Sequence, residues 1–183
     1  MNKAWQGFRG LAVCLTALHL STTAQATEAA HVHGLMHLDI AVERQLLTLQ
    51  LESPLDSLLG FERRPRTPAE RQAADALLKQ MGDAMALFKP DAAAQCVLAK
   101  VSIESAALQS KATAKESGQE GEHADLDASY EFNCAHPEQL TAIDIGLFDA
   151  FKRLQKIEVQ VAGTQGQSKH TLQRPDKRVK LAR

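Results

Sequence analysis

Alternation of apolar and polar side chains near the beginning of the chain constrains its fold more than any other feature. Between His31 and Glu43, apolar residues occupy every second position, and the polar residues His31, His33, His37, Asp39 and Glu43 fall on the other face. A period of two is typical of a β-strand that buries one face. The segment 47–51 repeats this period with leucines, so the two segments predict an antiparallel hairpin with its turn near residues 43–45. The apolar positions of the first segment are Val32, Gly34, Met36, Leu38, Ile40 and Val42.

Helical spacing of apolar residues follows in the middle of the chain. Thr67 and Glu70 form a capping box around Pro68, which is favoured at the first helical position, so a helix is predicted to begin after Thr67. Its apolar face is predicted to extend over about four turns. This face consists of Ala74, Leu77, Leu78, Met81, Met85 and Phe88. A short strand over 140–145 and a short helix over 147–154 are predicted nearer the C-terminus.

Alternation returns in three further segments. Residues 95–104 and 125–134 predict two strands that flank a polar stretch at about 105–124, and this stretch predicts a flexible loop. Residues 157–161 predict another strand, followed by a turn at 163–166 and a terminal hairpin over 168–181 that is interrupted at Pro175. Together the patterns predict an α+β fold. We expect a single domain whose antiparallel sheet is built from hairpins, with one long and one short helix packed on it.

The N-terminus has the layout of a secretory signal peptide. Lys3 and Arg9 precede an apolar run of about ten residues, whereas a bilayer span needs about twenty. The segment 24–26, Ala-Gln-Ala, then supplies the small-x-small pattern that signal peptidase recognises. We therefore expect residues 1–26 to be removed, and residues 27–183 to form one periplasmic domain that is not embedded in the membrane. A retained membrane anchor is the alternative.

Export changes the balance of charge and the fate of the cysteines. Loss of Lys3 and Arg9 would take the formal charge from −1 to about −3, which argues against a nucleic-acid surface because such surfaces need a clustered basic excess. Two cysteines would remain, Cys96 and Cys134. An even count in an oxidising compartment favours a disulfide, with two separate buried thiols as the alternative.

The two cysteines also lie in the two strands that flank the predicted loop. If these strands form one antiparallel ladder with Cys96 opposite Cys134, a cross-strand disulfide at the base of the loop follows. The same register predicts two further facing pairs, Leu98 with Phe132 and Lys100 with Tyr130.

His31 and His33 are the strongest chemical feature of the sequence. Residues two apart on a strand point the same way and lie about 6.7 Å apart, so two imidazoles at this spacing can converge on one ion such as Zn²⁺. His37 lies about 13 Å from His33 along an ideal strand and could join them only through a bend, for which Gly34 is the natural place. His123 is a further nitrogen donor in the predicted loop. The alternative is that His31 and His33 are exposed polar residues on the solvated face of the strand and bind no metal.

The sequence contains no recognisable arrangement of catalytic residues, so we do not expect an enzyme. Cys134 and His136 could act as nucleophile and base only if the thiol were free, and the predicted disulfide removes it. Two alternatives to metal binding by the His pair alone remain. One is a module that binds a protein partner without metal, and the other is a small zinc hydrolase that uses the His pair with Asp39. Cu²⁺ and Ni²⁺ remain alternatives to Zn²⁺, because nitrogen donors bind all three ions.

Several motifs resemble one family when they are taken together in order. They are His31-Val32-His33-Gly34-Leu35-Met36-His37-Leu38, then Glu52-Ser53-Pro54, Leu59-Gly60-Phe61-Glu62 and Pro65, then Cys96, and finally Tyr130-Glu131-Phe132-Asn133-Cys134. This order is similar to that of the ZrgA-like family of zinc-regulated periplasmic proteins, long filed as a domain of unknown function. The resemblance extends from His31 to about Val161.

The resemblance implies zinc binding in the periplasm and assistance to an ATP-driven zinc importer or its binding protein. It implies a carrier or accessory protein, with His31 and His33 as N-terminal ligands and Cys96 with Cys134 as the paired cysteines. Two features differ from the family pattern. His123 is the only histidine between the cysteines where members often carry a His-rich tract, and Arg63 follows the Gly-Phe-Glu segment where His is common. Both differences imply fewer metal ligands.

Overall fold

A computed structural model of the protein describes residues 32–109, 124–164 and 166–181. The proposed signal peptide, His31, His123 and most of the predicted loop lie outside these ranges. Every described residue belongs to one compact unit that begins at His31. This unit combines two mostly antiparallel sheets with short helices, so the predicted α+β class is confirmed.

The described residues form nine strands and five α-helices. In chain order the strands are β1 (Leu35–Glu43), β2 (Leu46–Pro54), β3 (Phe88–Pro90), β4 (Cys96–Glu104), β5 (Asp125–Cys134), β6 (Ala142–Ile145), β7 (Lys156–Gly163), β8 (Gly166–Gln173) and β9 (Arg178–Lys180). The helices are α1 (Leu55–Leu59), α2 (Pro68–Gly82), α3 (Ala84–Leu87), α4 (Ala106–Gln109) and α5 (Leu147–Ala150). Short 3-10 turns occupy Ala92–Ala94 and Pro137–Gln139. None of the helices in the described ranges has the length and hydropathy that a membrane crossing requires.

Six strands form the larger sheet in the order β4-β5-β2-β1-β7-β8, and β3, β6 and β9 form the smaller one. The predicted hairpin of β1 and β2 is confirmed, with Glu43 paired to Leu46 across a turn in which Arg44 has a φ of 52°. The sheet is not built from hairpins alone, because β1 pairs with β7 in parallel. The predicted terminal hairpin is wrong: β8 pairs with β7, whereas β9 pairs with β6 in the other sheet.

The first strand begins later than the alternation predicts. β1 starts at Leu35, and Val32, which was expected on the buried face, is 55% exposed. The reason is a turn in which the Leu35 amide donates to the Val32 carbonyl, at 3.1 Å, and Gly34 has a φ of 78°. Such a left-handed φ favours glycine and ends the extended conformation.

The long helix begins as predicted and ends early. The Thr67 hydroxyl accepts from the Glu70 amide and the Glu70 carboxylate accepts from the Thr67 amide, which completes the capping box. The helix ends at Gly82, and Asp83 then caps the separate helix α3. Two residues of the predicted apolar face therefore lie elsewhere, because Met85 is 47% exposed and Phe88 opens β3.

One face of the larger sheet packs into the hydrophobic core beneath α2. The buried positions of β1, β2 and β5 alternate with polar ones, as the period of two predicts. Tyr130 joins the two layers, because its hydroxyl donates to the Met81 carbonyl, at 2.9 Å, and its ring lies 4.9 Å from that of Phe88. Burial raises the pKa of the Tyr130 phenol. The opposite face of the sheet is open and polar.

The ladder of β4 and β5 has the predicted register at one end. Cys96 lies opposite Cys134 with the two sulfurs at disulfide distance, 2.06 Å, and Leu98 lies opposite Phe132. The predicted pairing of Lys100 with Tyr130 is wrong, because Lys100 lies opposite Glu131. A bulge between Leu98 and Lys100 adds one residue to β4 and shifts the register that follows.

Candidate metal centre

His33 lies in the turn that leads into β1, and this turn is held from both sides. The Gly34 amide donates to the buried Ser57 hydroxyl, at 2.9 Å, and that hydroxyl donates to the Leu35 carbonyl, at 3.2 Å. The Gly34 carbonyl accepts from the amides of Gln155 and Lys156, at 2.8 and 2.9 Å. The backbone beside His33 is therefore fixed by α1 on one side and by the chain entering β7 on the other.

Two carboxylates approach the two nitrogen atoms of the His33 ring. Asp56 Oδ2 of α1 lies 3.4 Å from Nδ1, and Glu62 Oε1 lies 3.5 Å from Nε2. Glu62 reaches this position because α1 ends at Gly60, whose left-handed φ of 87° reverses the chain. The ring of His33 is therefore bracketed by one carboxylate on each nitrogen.

The Glu62 carboxylate is the unusual member of this group. Its Oε1 atom is buried and has no hydrogen-bond donor among the described residues. Burying a carboxylate oxygen without a donor or a cation is costly, because the oxygen gives up its hydration without compensation. The His33 side chain, in contrast, is 66% exposed. A cation arriving from solvent would therefore meet a ring nitrogen and a buried oxygen that lacks a donor.

The spacing of these two atoms suits a zinc ion. Zinc binds His nitrogen and carboxylate oxygen at about 2.0 to 2.2 Å, and two such ligands at a tetrahedral angle lie roughly 3.3 Å apart. The observed distance between His33 Nε2 and Glu62 Oε1 is 3.5 Å. Asp56 at the other nitrogen is then placed to orient the ring, as carboxylates commonly do for metal-bound histidines.

These two donors do not complete a coordination sphere. No group of three or more His, Cys, Asp or Glu residues converges on a single point within the described ranges. A tetrahedral ion needs two more ligands, which water or another side chain can supply. His31 lies outside the described residues, so its predicted role as a second imidazole ligand stays a prediction, as does that of His123.

His37 has different surroundings from His33. It lies on the open face of the larger sheet, is 49% exposed, and has its Nδ1 atom 3.8 Å from Glu158. It lines a groove of about 310 Å³ together with Asp39, Glu52 and Asp127. Burial and the charges of neighbouring carboxylates raise the pKa of Asp127. The structure does not bring His37 or Asp39 to the carboxylates that bracket His33.

Arg63 is turned toward α2. Its guanidinium makes two hydrogen bonds to Glu70, at 3.0 and 2.7 Å, and lies 5.1 Å from the centre of the Phe61 ring. The hydrogen bond from Arg63 is the largest of the contacts that lower the pKa of Glu70 to about 2. The position after Glu62 therefore helps to anchor the start of α2 and adds no metal donor.

Sequence reasoning found His33 but missed Asp56 and Glu62. Both carboxylates lie more than twenty residues from His33 along the chain, so no local spacing could connect them to it. The available signal was the glycine at position 60, which marks the end of a helix and a change of direction. Glu62 was also part of the motif on which the family resemblance rests.

Most of the chain matches the model of a known protein family. A family model described as "ZrgA family zinc uptake protein" matches residues 30–181. No curated protein matches the chain. The matched residues include the turn of His33, both carboxylates that bracket it, and the paired cysteines.

Proposed function

Because the chain belongs to the ZrgA family of zinc uptake proteins, we propose that it is a periplasmic zinc-binding accessory protein that assists ATP-driven zinc uptake. The observation that carries this proposal is the approach of His33 Nε2 to the buried Glu62 Oε1 atom, which has no hydrogen-bond donor in the part of the chain that the structure describes. A divalent cation would supply the positive charge that this oxygen lacks. Zinc is the cargo of the protein in this proposal, and the exposed ring of His33 gives it access from solvent.

Each residue of the site has a separate role in this proposal. His33 binds zinc through Nε2, and Glu62 binds it through Oε1. Asp56 faces Nδ1 and selects the orientation of the ring in which Nε2 points to the ion. Water or His31 completes the coordination sphere. Imidazole and carboxylate donors also bind Cu²⁺ and Ni²⁺, so the family membership is what favours zinc.

The export and partner parts of the proposal have separate support. The basic, apolar and small-x-small segments that end at Ala26 are typical of an exported precursor. Cys96 and Cys134 at disulfide distance suit an oxidising compartment. A zinc importer of the inner membrane, or the binding protein that serves it, is the partner we propose, because a carrier must pass its ion to a transporter.

Titration calorimetry of the purified protein with Zn²⁺ tests the metal site. His33→Ala and Glu62→Gln are each expected to weaken zinc binding by at least tenfold, about 1.4 kcal/mol. Both substitutions should leave the fold intact, because the His33 ring is largely exposed and Gln keeps the size of Glu62. The double replacement of His31 and His33 by Ala should weaken binding at least as much.

His37→Ala is the matched control for this experiment. It removes another exposed histidine that lies near a carboxylate, Glu158, and is expected to leave the zinc affinity within about twofold of the parent value. If the parent binds no zinc at micromolar concentration, the interaction module without a metal replaces this proposal. If the His33 and Glu62 variants bind zinc like the parent, the ion lies at another site.

A further inference from the structure

Arginines are concentrated in the segment that joins α1 to the first turn of α2. Four of the eight arginines in the described ranges lie within residues 60–71, which we call the arginine segment. Two glutamates oppose them there, so the segment has a formal charge of +2. The domain without the proposed signal peptide is acidic, with a formal charge of about −3. The segment is therefore a basic region on an acidic protein.

The backbone of the arginine segment is held in place. The Arg66 amide donates to the Glu70 carboxylate, at 2.6 Å, and Arg71 Nη1 donates to the Arg66 carbonyl, at 3.0 Å. Pro65 and Pro68 lie on either side of this point, and each proline ring fixes a φ angle. The positions from which the arginine side chains project are therefore set before any partner arrives.

Three guanidinium groups of this segment have no acidic partner. Arg64, Arg66 and Arg71 are exposed, and none of them pairs with a carboxylate of any residue that the structure describes. Arg153, in contrast, pairs with Asp56 of the candidate metal centre, at 3.4 Å. A guanidinium offers five N–H donors in a planar fork that matches the two oxygens of a carboxylate. The three exposed groups can therefore bind carboxylates that come from outside the chain.

We propose that Arg64, Arg66 and Arg71 form a docking surface for an acidic segment of a protein partner. Each guanidinium can bind one carboxylate of the partner through two parallel hydrogen bonds. The fixed backbone reduces the entropy that docking loses, because only the side chains must become ordered. The affinity of such a surface depends strongly on salt, since its charges are exposed.

An anionic membrane surface is the competing occupant, and the segment suits it less. Electrostatic attachment to anionic lipid takes a cluster of about four to eight Lys or Arg residues, whereas three guanidiniums are available here. Phe61 is the largest apolar residue of the segment, but it is half-buried and has the Arg63 guanidinium 5.1 Å from its ring centre. It is therefore not presented for insertion into lipid.

The docking surface adjoins the candidate metal centre. Glu62 belongs to the arginine segment, and its Oε1 atom lies 3.5 Å from His33 Nε2. A partner docked on the three arginines would lie beside the exposed ring of His33, where an ion could pass between the two proteins. This consequence rests on the proposed function. Docking itself needs no metal, so the two proposals can be tested separately.

Fluorescence anisotropy of a labelled peptide of ten glutamates tests the proposal. The titration uses the purified protein with a chelator present and salt at about 20 mM, where exposed charges are weakly screened. The triple variant Arg64→Gln, Arg66→Gln and Arg71→Gln is expected to bind the peptide at least tenfold more weakly than the parent. Salt at about 200 mM should weaken binding by the parent at least tenfold.

The matched control removes the same charge elsewhere. Lys79, Lys89 and Lys180 are also exposed and pair with no carboxylate in the described ranges. Their joint replacement by Gln should leave the affinity for the peptide within twofold of the parent value. Arg64→Gln alone covers the case in which the triple arginine variant does not fold, and it should weaken binding at least threefold.

Three results would overturn the inference. They are no binding of the peptide by the parent at about 100 μM protein, equal binding by the parent and the arginine variants, and an equal loss in the lysine control. Sedimentation with vesicles of phosphatidylglycerol and phosphatidylethanolamine measures the competing occupant. Retention that needs the three arginines, without binding of the peptide, would assign the surface to a membrane instead. Each of these results leaves the zinc proposal in place, and absence of zinc binding leaves the docking surface in place.

Discussion

At the scale of single residues, burial of a carboxylate oxygen distinguishes the two histidines that the structure describes near the N-terminus. His33 and His37 are both largely exposed, and each lies within 4 Å of a carboxylate. Glu158, the partner of His37, is already paired with two lysines, and the hydrogen bond from Lys156 is the largest cause of its lowered pKa. Glu62 beside His33 has a buried oxygen that accepts no hydrogen bond from any residue the structure describes. In the second arrangement a bound cation would pair with an oxygen that no lysine or arginine of the described residues contacts.

Asp91 shows the opposite case, a carboxylate whose partners are complete. It accepts hydrogen bonds from the Thr141 amide, at 2.9 Å, the Ala142 amide, at 2.8 Å, and Arg178, at 2.6 Å. Burial alone would raise the pKa of Asp91, but these bonds and the Thr141 hydroxyl outweigh it and lower the pKa to about 2. Asp91 thereby ties the segment before β4 to β6 and β9.

Asp91→Asn is expected to destabilise the protein in a pH-dependent way. The folded-state pKa of Asp91, about 2, lies below its ordinary value of 3.8. Its ionised form therefore contributes stability that is fully present above pH 4 and is lost as the pH falls toward 2. We expect the variant to lose about 2 kcal/mol of unfolding free energy at pH 7 and progressively less between pH 4 and pH 2.

Urea unfolding of the parent and the variant across this pH range measures the difference. Asp75→Asn, at an exposed position of α2, serves as the control for the loss of one carboxylate. A difference between the parent and Asp91→Asn that stays constant from pH 7 to pH 2 would contradict the assigned role of the Asp91 charge.

At the scale of elements, β4 is an edge strand of the larger sheet with little buried surface. It lies at an edge, contains the bulge, and leaves Val97 64% exposed. β5, its neighbour among the described strands, buries every second residue in the core. The Cys96–Cys134 disulfide joins the two strands where β4 begins and β5 ends. The bond therefore compensates for an edge strand that has little buried surface of its own.

Loss of this disulfide should lower the stability of the whole domain. The two cysteines are 38 residues apart, and a closed loop of that length restricts the unfolded chain by about 4 kcal/mol in the entropy model. Cys96→Ala with Cys134→Ala should therefore reduce the unfolding free energy by about this amount. If the double variant does not fold, reduction of the parent by a phosphine during thermal unfolding gives the same comparison. An unchanged midpoint after complete reduction would contradict the prediction.

At the scale of the whole molecule, the candidate metal centre joins segments that are distant along the chain. His33 comes from the turn before β1, Asp56 and Glu62 come from α1 and the residues after it, and Arg153 comes from the chain before β7. The parallel pairing of β1 with β7 brings the first and last of these together. An ion would bind here only in the folded state, because the ligands are far apart in the unfolded chain.

Zinc should therefore stabilise the folded protein by mass action. At free zinc about 100 times the dissociation constant, the unfolding free energy should rise by about 2.7 kcal/mol. Thermal unfolding with buffered zinc measures the rise, and excess chelator should abolish it. His33→Ala should remove the rise while His37→Ala keeps it, and an equal rise in both variants would place the ion elsewhere.

The sequence by itself determined the features that depend on neighbouring residues. The period of two predicted the hairpin of β1 and β2, and Thr67 with Glu70 predicted the start of α2. Both predictions depend only on residues that are close together in the sequence. The register of Cys96 with Cys134 also followed from two alternating segments and an even cysteine count. Local patterns could not show the bulge in β4, which depends on how an edge strand packs against β5.

The tertiary structure alone decided how the candidate metal centre is assembled. His33 was visible as a donor, but Asp56, Glu62 and Arg153 reach it through a helix end, a reversal at Gly60 and a parallel strand pair. These arrangements depend on contacts between residues twenty to more than a hundred positions apart. Such contacts form because the core must bury the apolar faces of all the elements at once, and no single segment of the sequence contains that requirement.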